Sequence, residues 1–127
     1  MTPPAVATLF RPVGSVELRL IAEAGWRAFP PRLPDQPIFY PVTNLDYAVR
    51  IARDWNTKFG DRLGHVTRFS VLKRYLDRFE TRIVGGAEHE EYWIPAEGLP
   101  EFNANIVGLI EVVASFTEAD RIAAETG

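Results

Sequence analysis

Residues 87–97 read "AEHEEYWIPAE", which sets Glu88, Glu90 and Glu91 around His89, one of only two histidines, just ahead of an aromatic and apolar run. Carboxylates beside an imidazole suit either metal ligation or acid and electrostatic chemistry. In extended backbone His89, Glu91 and Trp93 share one face, while Glu88, Glu90, Tyr92 and Ile94 share the other. Neighbours that point to opposite faces do not all reach one ion, so a metal centre is not expected here. One carboxylate, Glu91, is instead set beside an imidazole and an indole. Two readings stay open for the cluster: a chemistry-bearing acid, or glutamates gathered at a solvated strand entry.

Other chemistries are excluded by inspection. The chain has no G-x-x-x-x-G-K-[ST] loop, no G-x-G-x-x-G after its first strand and no G-x-S-x-G elbow. It has no cysteine, which removes disulfides and thiolate zinc sites and fits a reducing cytoplasm. No leader pattern opens it and no run of apolar residues is long enough for a membrane span, so the expectation is a cytoplasmic protein with no membrane partner. Charge is uneven within a net of −3: between residues 62 and 82 six basic side chains face two acidic ones, and glutamate dominates after residue 88. That layout suits an anion site or simply two solvated surfaces of opposite sign. No aromatic-rich basic motif or zinc-finger spacing accompanies the arginines, so nucleic acid is not expected as a partner.

The elements that must position Glu91 follow from period and punctuation. At 127 residues and 46% apolar content, the chain is expected to form one α+β domain over 1–127. "VATLFRPVG" predicts a first strand ending near Arg11, and Ser15 stands where a cap should be for a helix with Val16, Leu20, Ile21 and Ala24 on its apolar stripe. "FPPRLPDQPIFYP" holds five prolines and predicts a stiff extended loop, able to brace a pocket wall or dock on a partner, that leads into a short strand near residues 38–42. Asn44 caps a second helix, "LDYAVRIARDW", with Leu45, Ala48, Ala52 and Trp55 inward. Beyond it "HVTRFSV", "ETRIVGG", "EYWIP" and "VGLIEVVASF" read as strands and "LKRYLDRF" as a short helix or turn. Residues 117–127 read as a helical or frayed tail. Helices thus fall mainly in the first half, and the strands are expected to be mostly antiparallel.

An arginine ending the first strand, a helix, an aromatic strand entering a second helix, and a glutamate four residues before a proline: this order resembles the ADP-ribosyltransferase fold of bacterial toxins and toxin-like domains. In "HEEYWIP" the second-position acid, Glu91, matches the family's catalytic glutamate, Arg11 matches the first-strand arginine, and "FYPVTN" lies where its aromatic and hydroxyl motif belongs. Along nearly its full length the chain also resembles a group of small bacterial proteins labelled "ADP-ribosylation/crystallin J1", through "RPVG", "FPPRLP", "QPIFYPV", "DWNTK" and "EFN".

The resemblance implies binding of NAD, as substrate, or of a related nucleotide, with transfer of ADP-ribose to an acceptor such as a protein, or its hydrolysis. Glu91, Arg11 and Tyr40 would be the catalytic set. Arg11, Tyr40, Thr43, Asn56, His89 and Trp93 would contact the nucleotide. Two departures are visible: Pro41 and Val42 occupy the middle of the family's serine-threonine-serine signature, and His89 stands where glutamate or glutamine is usual. The alternative they imply is a catalytically silent protein- or ligand-binding domain of the same fold. The crystallin half of the label implies a hydrolase with clustered aspartates, and the isolated aspartates of this chain form no such cluster.

Overall fold

A computed structural model describes residues 2–86 and 89–126. Its elements run β1 (Val6–Val13), α1 (Ser15–Glu23), β2 (Ile38–Phe39), α2 (Leu45–Asp54), a 3-10 turn (Asn56–Lys58), β3 (Leu63–Leu72), α3 (Lys73–Leu76), β4 (Thr81–Ile83), β5 (Glu90–Tyr92), β6 (Ile94–Pro95), a second 3-10 turn (Ala96–Gly98), α4 (Leu99–Ala104), β7 (Ile106–Thr117) and α5 (Glu118–Thr126). This is an α+β arrangement in which every strand pair is antiparallel. β3 lies between β1 and β7, in register from Val6 opposite Leu72 to Val13 opposite His65 on one side. On the free side of β1 a single residue continues the sheet. Val42 exchanges two hydrogen bonds with Phe10, at 2.9 and 2.8 Å, and stands opposite Glu91 on its other flank. β5 then pairs with β4, while β2 and β6 form a separate ribbon.

The pairing of β1 with residues 41–43 stops for a covalent reason. After a hydrogen-bonded pair at Phe10 and Val42, the next one in an antiparallel ladder would join Pro12 to Tyr40, and Pro12 has no N–H to donate. Beyond Phe10, β1 is therefore paired on its β3 side only, through Arg11 opposite Thr67 and Pro12 opposite Val66. Pro12, Val13, Tyr40 and Val42 all line the cavity that opens where the strands part.

Alternation along β1 and β3 sends side chains to two cores. Leu9, Val13 and Phe69 join Ile21, Phe29, Phe39, Phe102 and Ile110 on one face. The rings interlock edge to face, with Phe29 against Phe69 at 4.8 Å and Phe39 against Phe102 at 5.1 Å between centroids. Val42 and Val66, with Phe10, pack beneath Ala48 and Ala52 of α2 on the other face. Asn103 fixes the start of the proline loop by acting as a strand edge, its side-chain amide bonding both the N–H and the C=O of Phe29 at 3.0 Å.

α1 and α2 lie where the sequence puts them, though not in every detail, but helices do not fall mainly in the first half: α3, α4 and α5 all lie in the second. Ser15 does not cap α1: Gly14 occupies that position, and Ser15 Oγ instead bonds His65 Nε2 at 3.1 Å. Burial, more than its neighbour Asp61, sets the direction of the His65 shift and lowers its pKa. On α1 only Ile21 is buried, with Leu18 packed against the same core and Val16 and Leu20 exposed, so the apolar stripe is narrower than its spacing suggests. Its end is a Schellman motif: Gly25 N–H bonds Ala22 O and Trp26 N–H bonds Ile21 O, both at 3.0 Å, with Gly25 at φ +71. On α2 Ala48 and Ala52 are fully buried, but Leu45 and Trp55 face solvent, so the apolar stripe is narrower than the spacing suggests. Residues 118–126 of the expected helical or frayed tail are helical, as α5.

Asn44 does cap α2, its Oδ1 accepting from Tyr47 N–H at 3.0 Å. Asn44→Ala is expected to lower unfolding free energy by about 1 kcal/mol in urea titration. Because the same cap sets the first turn, from which Tyr47 projects, this loss bears on the site described next.

Candidate functional site

The cavity beside Pro12 has a volume of about 570 Å³, within the range of small-molecule sites. Arg11, Tyr40, Asn56, Glu91 and Trp93 all line it. Arg11 and Glu91 lie eighty positions apart in the chain, and it is the Phe10, Val42, Glu91 rungs of the sheet that draw them together.

Glu91 is held by two neutral donors. The Tyr47 hydroxyl of α2 donates to Oε2 at 2.7 Å, and Trp93 Nε1–H donates to Oε1 at 2.9 Å. A carboxylate has about four acceptor positions, so each oxygen keeps capacity for a ligand. Burial and then the bond to Glu91 push the Tyr47 pKa well up, which keeps its hydroxyl a donor throughout the ordinary pH range. Trp93 is in turn fixed from two sides: the Tyr40 ring meets it edge-on at 5.6 Å, and the Arg82 guanidinium lies 4.4 Å above its centroid. The period-2 alternation of the strand accounts for the Glu91 and Trp93 pair facing the same way.

The opposite wall is cationic. Arg11 makes a fork-to-fork pair with Glu17 of α1, through Nε to Oε2 at 2.6 Å and Nη2 to Oε1 at 3.0 Å, and its guanidinium lies 4.6 Å from the Phe39 centroid. Arg32, from the proline loop, places Nη1 3.9 Å from Glu17 Oε1 and donates through Nε to Ile38 O at 3.2 Å. Its pKa is lowered, first by burial and then by the like charge of Arg11.

Two residues expected at the nucleotide lie elsewhere. Thr43 is turned to the other face of the sheet, where its Oγ1 donates to Glu90 Oε1 at 2.9 Å; Thr81 Oγ1 holds the second oxygen of Glu90 at 2.7 Å. His89 stacks on the Tyr47 ring at 4.3 Å and lines a neighbouring hollow with Arg50, Trp55 and Lys58. Glu88 lies outside the described residues. Among those residues no three His, Asp or Glu side chains gather as metal ligands, and no helix is long and apolar enough to cross a membrane. Asn56 is on the cavity wall with its Oδ1 buried and unpaired. Trp55, expected to point inward from α2, occupies the C-cap of that helix and is 57% exposed, tilted against Phe59 and near Lys58.

Sequence reading missed Glu17, Arg32 and Tyr47. Glu17 looks like any polar residue on an exposed helix face, and nothing local marks Tyr47 as the partner of an acid 44 residues away. Arg32 carried a faint signal, an arginine set among prolines that stiffen its backbone. No family model matches the chain, and no curated protein or solved structure is significantly similar to it.

Proposed function

We propose that this cavity binds NAD or a closely related nucleotide, and that the protein is an ADP-ribosyltransferase-like domain that passes ADP-ribose to an acceptor or to water. The observation that carries this reading is the meeting of Arg11, Tyr40 and Glu91 in one cavity, with the acid oriented by Tyr47 and Trp93. The parted antiparallel sheet is compatible with the toxin-like fold that the motifs resemble.

In the reaction the bond between the ribose anomeric carbon and the nicotinamide nitrogen breaks, and its electron pair leaves with nicotinamide. The ribose passes through an oxocarbenium-like state. A fixed carboxylate beside it stabilises the developing positive charge, as in glycoside cleavage. Glu91 has that role, and its two neutral donors hold it in place without cancelling its charge. An acceptor oxygen or nitrogen, or water, then bonds to the anomeric carbon and releases a proton. Arg11 and Arg32 supply positive charge for the pyrophosphate, and the Tyr40 and Trp93 rings offer a wall for nicotinamide.

A second reading rests on a specific contact. Thr43, the hydroxyl matched to the family's motif, is held by Glu90 away from the cavity, which favours a domain of this shape that binds a ligand or protein without turning it over. Melting curves with NAD, ADP-ribose and nicotinamide, paired with an assay for released nicotinamide, separate the two. A ligand at about a hundred times its Kd adds about 2.7 kcal/mol to folded-state stability, so NAD and ADP-ribose are expected to raise the melting temperature by several degrees. Release of nicotinamide supports transfer, a shift without release supports the silent binder, and no shift with any of the three at millimolar concentration defeats both nucleotide readings.

A further inference from the structure

The cationic wall of the cavity is filled by the chain's own acid. Arg11 and Arg32 reach it from β1 and from the proline loop, and their guanidiniums meet at Glu17, whose oxygens lie 2.6 and 3.0 Å from Arg11 nitrogens and 3.9 Å from Arg32 Nη1. The arginine side chains are 9% and 12% exposed, against 21% for the acid. Two cations on one carboxylate, Arg11 buried and Arg32 partly buried, leave a positive excess that is not neutralised within this group. A guanidinium gripping two carboxylate oxygens uses the geometry with which it takes two oxygens of a phosphate.

The three side chains differ in freedom. Arg32 is tethered by the bond from Nε to Ile38 O and by the prolines that flank it, and Arg11 lies against Phe39. Glu17 projects from the first turn of α1 through three rotatable bonds and is the most exposed of the trio. Rotation about those bonds takes the carboxylate away while the guanidiniums stay.

We propose that Glu17 is the internal occupant of the Arg11 and Arg32 wall, a stand-in anion displaced when a ligand's diphosphate group enters. This deepens the nucleotide reading and rests on it for the identity of the ligand, though the subsite itself is tested without NAD. Its consequence is selectivity. A ligand with two negative charges outbids a single carboxylate, whereas an uncharged fragment such as nicotinamide gains nothing there.

The test uses Glu17→Gln with inorganic pyrophosphate as probe. In phosphate-free buffer the variant is expected to melt below wild type, because buried Arg11 and partly buried Arg32 have lost their anion. Pyrophosphate is expected to restore its melting temperature toward the wild-type value and to bind it at least tenfold more tightly than it binds wild type. Glu23→Gln, an exposed acid of the same helix, is expected to behave as wild type. Equal pyrophosphate gains for wild type and Glu17→Gln, or for both glutamine variants, overturn the proposal. Should Glu17→Gln fail to fold, Arg32→Gln retains the Arg11 pair with Glu17 and decides the matter: pyrophosphate binding at least tenfold weaker than wild type is expected, and unchanged binding overturns it. NAD binding without pyrophosphate rescue removes this subsite and leaves the nucleotide reading, while rescue without any response to NAD does the reverse.

Discussion

Glu91→Gln is expected to cut NAD turnover by about two to three orders of magnitude, the usual effect of removing one aligned electrostatic group from a reacting centre. The substitution keeps the fold because its hydrogen bonds can be redrawn. Trp93 Nε1–H only donates, so the glutamine oxygen must face it, and the glutamine NH2 then meets the Tyr47 hydroxyl, which turns to accept. Shape and neighbours persist while the charge is gone. NAD affinity, read from melting curves, is therefore expected to change far less than turnover, which assigns the loss to the bond-breaking step and not to binding. Full turnover by this variant would defeat the mechanism.

The largest effect on stability is expected at Gly64. A Cβ there would lie 2.1 Å from Ala52 O and 2.8 Å from Ala52 C, both backbone atoms of α2 where that helix crosses β3. No rotamer change relieves such a contact, so either the helix or the strand has to move. Gly64→Ala is expected to lower unfolding free energy by about 3 kcal/mol, at the upper end for overpacking, and the melting temperature by roughly 10 °C. Urea and thermal unfolding measure both; a change below about 0.5 kcal/mol, the ordinary range for surface substitutions, would show that the two elements are not in this close approach. Because α2 also presents Tyr47, the variant is further expected to loosen the hold on Glu91 and to lose turnover beyond its loss of stability.

Local pattern made much of this fold legible. Alternation in "VATLFRPV" and "HVTRFSV" located β1 and β3, the Asn44 cap located α2, and the period of two along residues 89–93 put Glu91 and Trp93 on one face. Each of these signals is carried by residues within one element, where spacing and geometry are tied. What failed was long-range. Gly64 gives no sign in sequence of the helix it must admit, Ser15 resembles a cap but has a better partner fifty positions away in His65, and Thr43 resembles a pocket hydroxyl but points to Glu90. The site was readable only in halves. Strand period set Glu91 beside Trp93, and resemblance to a family motif singled out both that acid and Arg11. Glu17 and Arg32 became visible when α1 and the proline loop were brought to the same wall.

The missing amide hydrogen of Pro12 has a bearing on ligand entry. A crevice kept ajar by a covalent ring needs no gatekeeper to swing and no segment to melt, so its backbone rests in the open shape, and what dilutes affinity is the population in which Glu17 occupies the cationic wall. Among the described residues, what a newcomer must dislodge is the Glu17 side chain, and arrival is then expected to be limited by encounter and by that one exchange of anions.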